Sequence, residues 1–422
     1  MTERGKLDTE PYKGVRDFYP EDWAQLTGIF STARNVLELW GYEEYNASPM
    51  ERSELYLSKG NEEIINEQTY TFTDRGGRSV TLRPEMTPTL ARMIAGKRRE
   101  LAFPLRWFSI GSRFRYERPQ KGRLREFYQI DVDLVGLPAG EADREIVTVA
   151  SRIMKAFGAK REEYVIRINS RKLLSCAALA AGLDPEAMRA YTRLLDKKEK
   201  MPPAEWEAAA RALSQKDPLD EIESATNEGV RREKDRILAF VEALHEEGIG
   251  NALFDPALVR GFDYYTDLVF EVFDTDPANP RALFGGGRYD ELVALFGGDP
   301  LPAVGFAVGD VSFADFLETH GYLPRRSSSP EIYIGTEKDG VRAAETFADE
   351  LRMKGVRAFT NLRDKALGDQ AKEAEKRGIR YFLAYGKDEA GGKAPALKDL
   401  PQFETTTLVD AAAVALWIAK NR

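Results

Sequence analysis

Apolar positions Leu26, Ile29, Phe30, Ala33, Val36 and Leu37 recur at helical spacing after a turn-like KGVRDFYPED stretch. They predict a helix over 22–39, ended by Gly41. From there to Gly136 the pattern is strand-like and broken by turns. VTLRP (80–84), LRWFSIG (105–111), SRFRYE (112–117) and EFYQIDVDLVG (126–136) are rich in β-branched and aromatic residues. Between the last two lies RPQKG, where Pro119 and Gly122 mark a loop. Antiparallel strands presenting arginines to a shared face are expected here.

Helical spacing returns over 141–157 and from 171 to about 247. Within it, 184–234 is charged and irregular, the pattern of an insertion with few ties to the main core. LVRGFDYYTDLVFEVFD (258–274) reads as a strand, Gly285 to Gly287 as a glycine-rich turn, and AVGFAVGDV (303–311) as a strand entering a helix that continues toward Glu318. LPRRSSSP (323–330) then concentrates Pro, Ser and Arg, the composition of an exposed linker. Beyond it strands and helices alternate: EIYIG, a helix over 340–354, VRAFTN, a helix over 365–377, and RYFLAYG. The pattern predicts an α+β unit with an antiparallel sheet over 1–325, carrying a helical insertion at about 171–250. An α/β module with a largely parallel sheet follows over 330–422.

Composition narrows the chemistry. At 422 residues the chain exceeds what one growing core supports. No run of about 18 uncharged apolar residues is present, and 1–23 lacks an apolar signal core. The expectation is a cytoplasmic protein with no membrane segment. Cys176 is the sole cysteine, which excludes an intrachain disulfide and a cysteine-rich zinc site. With only His245 and His320, a Ser-His-Asp or poly-histidine metal mechanism is disfavoured. Chemistry must rest on carboxylates, arginines and bound ions, with no metal site expected from the protein's own side chains. Net charge is −8, so nucleic acid would need a local basic surface. RFRYERPQKGRLR (113–125) offers one, though it also reads as a solvated charged loop.

Four patches carry candidate chemistry. Arg115 and Glu117, two apart on a strand, would share a face, cation toward phosphate and carboxylate toward an exocyclic amine; a cross-strand ion pair is the plainer alternative. Glu85 and Thr87 sit at a strand–helix junction, where they can bind an ammonium group or simply cap the helix. In RGFDYYTDLVFEV, Arg260, Tyr264 and Tyr265 suit a small aromatic ligand, although such tyrosines are often core residues. GGGRYDEL permits close backbone approach to a ligand, or is only a turn.

In this order, KGVRDFYP, LRPEMT, FRYERPQKGRLREFYQIDVD, LVRGFDYYT, GGGRYDEL and AVGFAVGD resemble the motif series of class II histidyl-tRNA synthetases over nearly the whole chain. The resemblance implies a class II-like catalytic domain joined to a C-terminal anticodon-binding domain. It implies a histidine–tRNA ligase that uses ATP with Mg²⁺, forms histidyl-adenylate from L-histidine, and charges tRNA(His). By the same resemblance Arg115 matches the arginine on the α-phosphate and Arg260 the family-specific arginine that neutralises charge as the adenylate forms. Glu117 matches the adenine side, with Arg125 beside it. Glu85, Thr87 and Gln129 match the α-amino contacts, and Asp133 and Tyr264, with Tyr265, the imidazole contacts. Arg118, Gln120, Lys121 and Arg123 lie in the loop that approaches the tRNA acceptor end. Pro49 resembles a proline at a homodimer interface.

One departure stands out. Where the family's third motif usually ends in a Glu-Arg pair, with its arginine on the γ-phosphate, this chain has Val311 and Ser312. Either another cation such as Arg123 or Arg288 substitutes, or catalysis is weakened or lost. The departure favours a rival, the non-catalytic synthetase-like regulatory subunit of ATP phosphoribosyltransferase. The C-terminal module and the RPQKGR loop speak against it. A class II synthetase for proline, threonine or glycine is a further alternative, opposed by the patch from Arg260 to Tyr265.

Overall fold

The computed structural model describes residues 8–57, 68–118, 120, 122–198, 201–262, 264–324 and 329–421. The chain divides into two compact units, 1–18 with 25–325, and 19–24 with 326–422. Helix α1 (Pro20–Leu39) begins the ordered pattern. In the first unit, β1 (Glu43–Glu44), β5 (Leu105–Phe114), β6 (Glu126–Val135), β7 (Tyr164–Ser170), β8 (Ala252–Phe254), β9 (Leu268–Asp274), β10 (Ala282–Arg288) and β11 (Ala303–Gly309) form one eight-stranded sheet. Its order is β1-β5-β6-β11-β10-β9-β7-β8. Pairings from β5 through β7 are antiparallel, while β1 and β8 add to the edges in parallel. A small sheet of β2 (Met50–Arg52), β3 (Tyr70–Thr73) and β4 (Ser79–Leu82) stands apart, with β4 central.

Two-residue alternation assigns the faces of the large sheet. Ile130, Val132 and Leu134 of β6, Val304, Phe306 and Val308 of β11, and Phe270 and Val272 of β9 point into the main core. Helices cover that side: α1, α3 (Glu141–Ala156) and the helix Asp310–Thr319 contribute Ile29, Ala33, Ile146, Ile153, Phe313 and Phe316. Each such burial contributes about 1.5–3 kcal/mol for a large aliphatic or aromatic side chain. The odd positions of β6 therefore face the other way, toward the site.

Several sequence expectations are corrected. Residues 105–114 are one strand where two were expected. The strand expected over 258–274 begins only at Leu268. Upstream, side chains rather than a neighbouring strand satisfy the backbone: Asn169 donates to the carbonyls of Pro256 and Leu258, and Arg171 to those of Arg260 and Phe262. Gly285 to Gly287, expected as a turn, lie inside β10. The glycines are there for space. A Cβ at 285 would strike the Arg260 guanidinium and the Phe270 carbonyl, one at 286 the Gly305 carbonyl, and one at 287 the Leu268 carbonyl and Tyr265 ring.

The irregular stretch at 184–234 resolves into short helices, Pro185–Leu195, Pro203–Leu213 and Pro218–Ser224. Each starts at proline, and Asp184 and Asp217 cap two of them, so helical periodicity is cut too often to be read across the stretch. Tyr191, Leu195, Trp206 and Ile222 close over Leu173, Leu174 and Ala177 in a core of their own.

In the second unit β12 (Ile332–Gly335) pairs in parallel with β13 (Ala358–Thr360) and β14 (Tyr381–Ala384). β15 (Ala396–Asp399) and β16 (Glu404–Thr407) extend the sheet antiparallel. The sheet is mixed rather than largely parallel. These last strands are four residues each and mostly polar, too short for alternation to mark them.

Candidate active site

On the site face of β6, Gln129, Asp131 and Asp133 project together, two residues apart. They line one cavity with Glu85, Thr87, Arg115, Arg260, Phe262, Tyr264, Tyr265 and Tyr289. Gly285 and Gly305 line it as well. A Cβ at 305 would meet the Asp133 carboxylate, so glycine there keeps the acid's place open. The structure thus brings Glu85, Thr87, Arg115, Gln129, Asp133, Arg260, Tyr264 and Tyr265 around a single hollow.

The acids of the hollow are desolvated. Glu85, at the end of the segment after β4, is 6% exposed and accepts a 2.9 Å hydrogen bond from the Tyr264 hydroxyl. Burial pushes its pKa up to about 7, against the opposing pull of the Arg115 charge and the Tyr264 hydroxyl. Asp133, 4% exposed, accepts from the Tyr289 hydroxyl; burial pushes it up to about 8. Thr87 opens helix α2 (Thr87–Lys97), whose N-cap is Met86 with no side-chain cap, so Thr87 is not spent on capping. The hollow therefore holds two carboxyl groups whose charged forms burial disfavours and a neighbouring positive charge favours.

Both arginines are held in place by neighbouring groups. Arg260 Nη1 lies 3.0 Å from Glu271 Oε1, and its guanidinium is 5.6 Å from the Tyr265 ring centroid. Arg115 Nε donates to the Pro84 carbonyl at 3.0 Å, and its guanidinium is 5.2 Å from the Phe127 ring centroid. Beneath them Arg113, fully buried, donates to Asp131 at 2.5 Å. Arg83 donates to the carbonyls of Ser112 and Ala47.

Arg115 and Glu117 do not share a strand face. β5 ends at Phe114, and the Glu117 N–H closes on the Arg115 carbonyl at 2.7 Å, which breaks the alternation. The chain continues as a hairpin, with Arg115 N–H bonded to the Arg125 carbonyl and Gln120 bridging Arg123 at the tip. Glu117 pairs with Arg123 at 2.9 Å. Arg125 stacks at 4.0 Å on Tyr116 and donates to the Glu117 carbonyl and the Tyr12 hydroxyl. Arg118 and Gln120 are exposed. Glu117, Arg118, Gln120, Arg123 and Arg125 are thus on the hairpin and not among the residues lining the hollow. Lys121 lies outside the described residues.

Asp310, from the third motif, pairs with Arg16 at 2.6 Å and accepts from the Tyr128 N–H. Of the two cations considered as substitutes for the absent arginine, Arg288 is fully buried and held by Asp143 and Asp290, so it braces the fold. Arg123 is occupied by Glu117.

Tyr289, Asp131 and Phe262 in the lining, and Arg113 behind Asp131, add to the residues expected from the sequence. Asp131 was legible: QIDVD places it on the same face as Gln129 and Asp133. Tyr289 gave no such signal, since only its packing across the hollow makes it the partner of Asp133.

An antiparallel sheet bearing a buried hollow of paired acids and arginines, followed by a mixed-sheet module, is a synthetase-type architecture. Residues 14–310 match the family model for histidyl-tRNA synthetase, and 332–418 match that of an anticodon binding domain. The chain is 41% identical over 411 residues to the histidine–tRNA ligase of Leptospira biflexa serovar Patoc, covering 94% of each. It is 35% identical over 416 residues to that of Haloarcula marismortui, again covering 94% of each. The crystal structure of histidyl-tRNA synthetase from Nostoc sp. PCC 7120 superposes with a TM-score of 0.79 at 25% identity, covering 98% of this chain and all of that one. The chain belongs to the histidyl-tRNA synthetase family.

Proposed function

We propose that the protein is a histidine–tRNA ligase that acts in the cytoplasm as a homodimer, with residues 1–325 catalytic and 330–422 engaging the tRNA anticodon. The histidine carboxylate attacks the α-phosphorus of ATP, the bond to the bridging oxygen breaks, and pyrophosphate leaves. A terminal ribose hydroxyl of tRNA(His) then attacks the acyl carbon, and AMP departs. Arg115 and Arg260 stabilise charge on the two sides of the acyl-phosphate junction, which requires alignment and electrostatics rather than a general base. Glu85, Thr87 and Gln129 hold the α-ammonium. Asp133, with Tyr264 and Tyr265, reads the imidazole, and analogues that leave the acid unbonded are rejected by its uncompensated desolvation. Glu117 faces adenine, and Arg125 fixes the Glu117 carbonyl. Arg118, Gln120, Lys121 and Arg123 approach the acceptor end.

The observation that carries this reading is the convergence of Arg115 and Arg260, distant in sequence, on one hollow lined by Glu85 and Asp133. Mg²⁺ enters with the nucleotide as part of the substrate, where it screens phosphate charge; among the described residues no group of three or more His, Cys, Asp or Glu is placed to hold an ion alone. Exposed Leu39, Trp40 and Met50, on the same N-terminal stretch as Pro49, support self-association. Among the described residues no helix is long and apolar enough to cross a membrane. The deciding assay is ATP–pyrophosphate exchange with each amino acid in turn. Exchange with histidine alone is expected; exchange with none, together with activation of a phosphoribosyltransferase, would favour the regulatory subunit instead.

A further inference from the structure

A triphosphate needs cations along its length, and those around this site are mostly committed. Arg16 neutralises Asp310, Arg123 faces Glu117, Arg125 is stacked and hydrogen-bonded, and Arg288 is buried in an ion-pair network. Arg281 differs. It sits immediately before β10, exposed, and among the described residues its guanidinium has neither a hydrogen bond nor an ion pair. The antiparallel pairing of β10 with β11 brings the start of one strand to the end of the other, where the helix Asp310–Thr319 begins.

The side chain meets the hairpin there. A Cβ built at Gly122 would lie 3.7 Å from Arg281 Nη1 and 3.9 Å from Ser312 Oγ. A guanidinium and a hydroxyl, both unpartnered among the described residues, thus converge beneath the tip of the hairpin that carries Arg115 and Glu117. Because Asp310 is already occupied by Arg16 and the Tyr128 N–H, the positive charge of Arg281 is left available. A planar guanidinium beside a hydroxyl suits an anion with several acceptor oxygens.

We propose that Arg281, with Ser312, binds the terminal phosphates of ATP, so that the cation reaches the site from the neighbouring strand rather than from the helix after β11. This inference rests on the ligase reading for the identity of the nucleotide. In it Arg115 takes the phosphate nearest the hollow, and Arg281 takes the far end.

The test is titration of the full-length protein with Mg²⁺-ATP and, separately, with AMP, for the wild type, Arg281→Ala and Arg281→Lys. Arg281→Ala should weaken ATP at least about tenfold, the scale of one lost charge-assisted hydrogen bond, and leave AMP unchanged. Arg281→Lys should retain part of the difference, and adding Ser312→Arg to Arg281→Ala should restore ATP affinity. Equal losses for AMP and ATP, no loss for either, or a loss confined to the KM for tRNA would overturn the assignment. Histidine-dependent exchange by the wild type is measured alongside. If the wild type binds ATP but exchanges with no amino acid, the ligase reading fails while the contrast between ATP and AMP still judges Arg281.

Discussion

The hollow and the hairpin are built from the same residue types and behave oppositely. In the hollow, Glu85 and Asp133 are almost fully buried, each meets a tyrosine hydroxyl, and each is shifted upward by desolvation. On the hairpin, Glu117 pairs with a half-exposed Arg123, and Arg118 has no partner among the described residues. Buried groups discriminate, because a ligand that fails to satisfy them leaves a desolvated charge or dipole. Exposed guanidiniums attract polyanions with little discrimination, and the attraction weakens as salt rises. On the proposed reading, selection of a small amino acid belongs to the first region and capture of a phosphate-rich partner to the second.

The sharpest way to break this contrast is at Arg260. Arg260→Ala should slow adenylate formation at least about a hundredfold, the cost of removing a charge donor from a developing anion. A rapid-quench rate near wild type would remove Arg260 from the chemistry and leave it a brace for Glu271. A smaller effect is expected on the hairpin. Arg118→Ala and Gln120→Ala should lower tRNA charging about three- to tenfold, the Arg118→Ala loss being largest at low salt, with histidine-dependent exchange preserved. Equal losses in both reactions would deny the hairpin a separate role.

The smallest effect concerns stability. The pKa of Glu85 is about 7 in the folded protein against an ordinary 4.5, so between those values the folded state keeps a proton that the unfolded chain has released. Stability from this group therefore falls as pH rises through that window and stays lower above it. Glu85→Gln, which still accepts from Tyr264, should raise the melting temperature of the ligand-free protein by about 2 °C at pH 8 and leave it unchanged at pH 4. Saturating histidine should erase that gain, because its ammonium group meets a charge that the glutamine lacks. A uniform drop at every pH would mean that Glu85 is simply a packing residue.

Much of the site was readable in one dimension, and the reasons are local. QIDVD, on an antiparallel strand, turns Gln129, Asp131 and Asp133 to one side because successive side chains alternate by bond geometry. Where that rule was carried past the end of a strand it failed. Arg115 and Glu117 were expected on one face, but the Glu117 N–H closes back on the Arg115 carbonyl. Residues 258–267 looked like a strand because they are aromatic and β-branched, yet donors from Asn169 and Arg171 take the carbonyls a neighbouring strand would have used. The glycine run looked like a turn because its composition says nothing about neighbours, and only the crowding of Arg260, Tyr265 and Gly305 explains it.

By itself the sequence determined many of the strands and helices, the face of β6 that bears acids, the linker-like composition before the second unit, and the family. Tertiary structure alone decided which charges are satisfied. Tyr264 reaches Glu85 across 179 positions, Tyr289 reaches Asp133 across 156, and Arg16 reaches Asp310 across 294. Periodicity follows from covalent geometry and is written into neighbouring residues. Desolvation and pairing depend on which distant segment arrives, and that arrival leaves Arg288 locked in the interior and Arg281 unclaimed beside the hairpin.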